Sequence, residues 1–108
     1  MMVAEAGAEM KRYILRCSCG GVKSKMDAAL QLIFPDTPLA VISSSLEEVK
    51  GTQSLVALAE SSPYAYTPFS DLLLTLAKKR GRYCYYVEVN GKGGVILAKD
   101  LMTGRNLV

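Results

Sequence analysis

The 108-residue chain contains no histidine and no tryptophan. The missing imidazole excludes Ser-His-Asp and Cys-His nucleophile activation, histidine acid–base chemistry and most catalytic zinc sites. No apolar run approaches the roughly 18–20 residues that cross a bilayer. The opening MMVAEAGAEM has neither the basic nor the apolar region of a signal peptide, so an intracellular, cytoplasmic protein is expected. Residues 1–10 read as a flexible leader and residues 11–108 as one α+β domain, long enough for a single core.

Three cysteines, Cys17, Cys19 and Cys84, are too few for a four-ligand structural zinc site. Their odd number, without secretory signals, favours reduced thiols, with Cys17 and Cys84 as small buried residues. The acids form no catalytic constellation. Asp36 and Glu88 faintly suggest a magnesium nuclease, but Glu88 is followed by Val89 and Asn90 rather than by a lysine two residues on. NGKGG (90–94) lacks the Ser or Thr of a Walker loop and reads as a hairpin turn. No catalytic residue, metal or cofactor is expected, and the chain is read as a non-enzyme.

What is present is positive charge in two acid-free runs. The net charge is only +3, but Lys11, Arg12, Arg16, Lys23 and Lys25 form one run, and Lys78, Lys79, Arg80 and Arg82 the other.

Periodicity places these runs on elements. KRYILRC (11–17) alternates as a strand, with Tyr13, Leu15 and Cys17 on one face and Arg12, Ile14 and Arg16 on the other. Gly20-Gly21 ends it. Ser24 and Asp27 start a helix with Met26, Ala29, Leu30 and Ile33 on its buried face, and the 35–38 prolines stop it. LAVIS (39–43) reads as a buried strand, and Ser45 with Glu48 as the capping box of a short helix. Residues 52–60 fit either helix or strand, with helix preferred and Thr52 as its cap. Thr67 and Pro68 open another helix, striped by Phe69, Leu72, Leu73 and Leu76, with Lys78, Lys79 and Arg80 in its last turn and Gly81 as its stop. RYCYYVEV and GVILAKDL then form a hairpin. The expected order is β-α-β-α-α-α-β-β: a small, mostly antiparallel sheet with helices packed on one face.

A sheet covered on one side leaves the other open. Tyr83, Tyr85, Val87 and Val89 would be core, while Tyr86 would lie on the open face beside Arg12, Ile14 and Arg16. Aromatic rings that stack bases beside cations that follow a phosphate backbone are the equipment of single-strand binders. Tyr64 and Tyr66 would add stacking groups from a loop. The expected function is non-enzymatic binding of single-stranded nucleic acid, DNA favoured, through Arg12, Ile14, Arg16, Lys23, Lys25, Lys78, Lys79, Arg80, Arg82 and Tyr86. The alternative is a homo-oligomeric scaffold domain, dimeric through the Phe69–Leu76 helix.

In layout, KRYILRC, the helices after it and KKRGRYCYYVEVNGKGGVIL resemble the small archaeal ThermoDBP-related single-stranded DNA-binding proteins over residues 11–100. The resemblance implies a fold other than the OB barrel, with an apolar cleft flanked by basic residues. The matching groups here are Tyr, Ile and Val side chains near Arg12, Arg16, Lys78, Lys79, Arg80 and Arg82.

Overall fold

The computed structural model describes residues 10–17 and 23–107. The leader through residue 9, Cys19 and the Gly20-Gly21 break lie outside these. Eight elements follow one another: β1 (Lys11–Arg16), α1 (Lys23–Ile33), α2 (Leu39–Ser44), β2 (Glu47–Lys50), α3 (Thr52–Ala59), α4 (Pro68–Ala77), β3 (Cys84–Val89) and β4 (Val95–Asp100). The fold is α+β. Its four-stranded sheet has the order β2-β1-β3-β4. β1 runs parallel to β2 and antiparallel to β3, and β3 and β4 form the antiparallel hairpin. The sheet is therefore mixed, with two of its three pairings antiparallel.

Two expected elements exchange identity. LAVIS is helical: the Val41 and Ile42 N–H groups both donate to the Pro38 carbonyl. Ile42 is buried and Leu39 packs in the same cluster, while Val41 is exposed. That is the i, i+3 spacing of a helix face, which a five-residue apolar run cannot reveal in advance. The segment after it, Glu47–Lys50, is a strand rather than a capped helix. Its residues have little strand propensity, and pairing with β1 decides the matter: Val49 lies opposite Leu15 and is buried. Ser45, expected to cap a helix start, instead donates to the Ile42 carbonyl at the end of α2.

Both faces of the sheet are covered, which corrects the expectation of helices on one face alone. On one side, Tyr13, Leu15, Tyr85, Val87, Val89 and Ala98 pack with Leu55 and Ala59 of α3 and Phe69, Leu73 and Leu76 of α4. On the other, Ile14, Cys84 and Tyr86 pack with Met26 and Leu30 of α1, Ile42 of α2 and Leu101. Each large apolar side chain so buried contributes about 1.5–3 kcal/mol relative to exposure. The apolar stripe of α4 faces its own sheet: Leu72 and Leu74 also pack against that cluster.

Local chemistry explains the remaining boundaries. Thr67 caps α4 by accepting the Ser70 N–H at 3.2 Å, with Pro68 in the first turn. Residue 51, not Thr52, is the N-cap of α3; the Thr52 hydroxyl donates to the Ala77 carbonyl and joins α3 to the end of α4. α4 stops at Ala77 with Lys78 as its C-cap. Lys79, Arg80 and Gly81 thus lie beyond the helix, in the connection to β3. The Asn90 side chain accepts the Lys92 and Gly94 N–H groups and closes the hairpin.

Candidate nucleic-acid interface

The ten residues expected to form one surface separate into three groups and a lone Arg12. Tyr86, Ile14 and Arg16 are covered. Tyr86 is fully buried under α1 and α2, beside the Phe34 ring. Ile14 shares that cluster. Arg16 is buried and paired with Glu48 of β2. A strand bearing bases cannot reach these groups, so the open aromatic face is not part of this fold. The reason is topological: α1 and α2 cross the face that sequence periodicity assigned to solvent.

Lys23 and Lys25 form the second group, exposed on α1. Lys23 pairs with Asp27 one turn on, 3.2 Å away, an exposed pair of small energetic consequence. Arg12 stands apart, half-buried at the edge of the α1–α2 layer.

Lys78, Lys79, Arg80 and Arg82 are the third group, and the structure does bring them together. All four are exposed in the α4–β3 connection. Lys79, Arg80 and Arg82 line a cleft of about 490 Å³ with Cys17, Tyr83 and the first residues of α3. The cleft lies at the end of the sheet where β1 and β2 finish and β3 begins. The Cys17 N–H donates to the Tyr83 carbonyl at 3.3 Å and fixes one wall. No acidic side chain among the described residues lines it. Among the described residues, none of the four cations forms an ion pair. Lys79 donates to the Tyr85 hydroxyl at 2.8 Å, which holds the ammonium pKa above its ordinary value. Gly81 has φ +91, a conformation that turns the chain between Arg80 and Arg82 and suits glycine.

The loop tyrosines divide. Tyr64 is buried against Tyr13 and Phe69. Tyr66 is fully exposed, but it sits with Glu60 and Asp71, near the end of α3 and the start of α4, away from the basic cleft. The loop tyrosines therefore add no stacking group to the basic cleft. Cys17 is disulfide-bonded, contrary to the expectation of reduced thiols, while Cys84 is the small buried thiol expected. No cluster of metal-ligating side chains occurs among the described residues, and none of their helices is long and apolar enough to cross a membrane.

Sequence reasoning did not anticipate residues 51 and 52 as part of this cleft. They reach it through the parallel β1–β2 pairing, for which EEVK carries no local signal. Comparison with protein-family models, curated proteins and solved structures found no match to the chain.

Proposed function

We propose that this protein is a non-catalytic, cytoplasmic binder of single-stranded nucleic acid, and that it holds the strand by its phosphate backbone at the Lys78–Arg82 connection. The supporting observation is the cleft itself: three exposed cations converge on one concavity and, among the described residues, form no ion pair and meet no acidic side chain in its lining. Cations so placed attract a polyanion through counterion release, a sequence-independent effect. This reading keeps the basic run of the ThermoDBP-related resemblance and gives up base stacking on the sheet, because Tyr86 is buried. Sequence selectivity is then expected to be weak, since phosphate contacts position a strand without reading it.

The test is fluorescence anisotropy of a labelled oligo(dT) titrated at several salt concentrations. Each phosphate neutralised on a single strand gives a slope of about −0.7 in log K against log salt. Contacts from Lys79, Arg80 and Arg82 together give about −2. Replacing Arg80 and Arg82 by alanine should reduce that slope by about 1.4 without altering the fold, since both side chains are exposed. Absence of binding at low salt, or affinity indifferent to salt, sinks the proposal.

A further inference from the structure

Arg12 occupies a second site, on the opposite side of the sheet from α3 and α4. A pocket of about 260 Å³ is lined by Arg12, Phe34, Thr37, Val41, Ile42 and Ser45. Its walls are an aromatic ring, two aliphatic side chains and the hydroxyl-bearing Thr37 and Ser45, and among the described residues its one charged group is the guanidinium. Phe34 places its ring 5.9 Å from the Arg12 guanidinium carbon, within reach of a cation–π attraction. The Arg12 Nε is buried and, among the described residues, has no hydrogen-bond partner. Glu88 lies 3.8 Å from it, too far for a hydrogen bond. That carboxylate instead accepts the Tyr86 hydroxyl at 2.5 Å.

We infer that this pocket binds a small organic monocarboxylate with an apolar or aromatic body, its carboxylate on the Arg12 guanidinium and its body against Phe34, Val41 and Ile42. The guanidinium fork matches a carboxylate in shape, and charge-assisted hydrogen bonds of this kind are the strong ones. A phosphate dianion fits less well for two reasons. Glu88 already offsets part of the single positive charge, and the apolar walls do not replace the hydration that a dianion loses. The volume is below the usual range for drug-sized ligands, which limits the body to a small group. Val41, exposed although aliphatic, stands at the pocket as an unpaired apolar surface. The inference does not depend on the nucleic-acid reading, which concerns a different set of residues.

Benzoate is a suitable probe, with benzyl alcohol as the neutral control of similar shape. Two-dimensional NMR of the full chain should show saturable benzoate shifts at the Arg12 Nε–H and at the Val41 and Ile42 methyl groups. Benzyl alcohol should bind at least about tenfold more weakly, because it lacks the charged hydrogen bonds. Arg12→Gln should weaken benzoate binding by about tenfold or more. Val41→Asp, which sets a like charge in the lining, should do the same with the melting temperature unchanged. The inference is overturned by equal titrations with the two probes or by shifts that never saturate. Undiminished binding in both variants, or shifts centred on Lys79, Arg80 and Arg82, would also overturn it.

Discussion

The Tyr86 hydroxyl donates to the Glu88 carboxylate, two residues along the same face of β3. A tyrosine needed for stacking would present its ring to solvent. This one presents its ring to Ile14, Met26 and Leu30 and satisfies its polar end inside the protein. Burial, with the Glu88 hydrogen bond second, raises the pKa of the hydroxyl. The same contact holds the Glu88 carboxylate 3.8 Å from the Arg12 Nε, an ion pair without a hydrogen bond, so one hydrogen bond both closes the aromatic platform and leaves hydrogen-bonding capacity on Arg12 beside the second pocket.

Arg16 and Arg82 should separate stability from binding. Arg16→Ala removes a buried partner of Glu48 and should lower stability in urea while leaving oligo(dT) affinity, corrected for folded fraction, unchanged. Arg82→Ala should do the reverse. Equal loss of affinity in both would restore the open sheet face as the binding surface.

The Tyr13 and Tyr64 hydroxyls lie 3.0 Å apart within the core. Either single change to phenylalanine strands the other hydroxyl, at a cost of about 1–3 kcal/mol. The double change removes both polar groups and should cost clearly less than the sum of the singles. A double-mutant cycle by urea denaturation measures the coupling; additivity would mean that the bond contributes nothing.

Two glycines with positive φ should respond differently to alanine. A Cβ at Gly81 (φ +91) meets nothing within 4 Å, so only the backbone cost of about 1–2 kcal/mol applies. A Cβ at Gly93 (φ +83) falls 2.5 Å from the Thr67 side chain, the cap of α4. Gly93→Ala should therefore be the more destabilising by a wide margin, as read from the two melting temperatures.

Burial pushes the Cys84 thiol from its ordinary 9.0 up to about 11, with nearby Arg16 opposing and Glu48 assisting. The folded state thus holds this proton when the unfolded state has released it. Stability should be level below about pH 8, then fall as pH rises from about 9 to about 11. Tyr13 and Tyr86, both raised by burial, add to the decline at higher pH. Urea midpoints across that window should show a shallower fall in Cys84→Ala. An identical fall would mean that Cys84 does not titrate there.

Much of this protein follows from its sequence. Alternation in KRYILR and CYYVEV, the Thr67-Pro68 start of α4 and the Asn90 turn are local signals, and each works through hydrogen bonds and side-chain spacing within a few residues. The acid-free basic run is equally local. Tertiary structure decided the rest. β2 is a strand because β1 offers its parallel edge, although EEVK has no such preference. The face that Tyr86 shares with Ile14 is closed because α1 and α2 lie across it. Alternation can divide a strand into two faces, but it cannot say whether one or both will be covered. That depends on where the connecting helices pack, and their packing decided which cations remain open to a ligand.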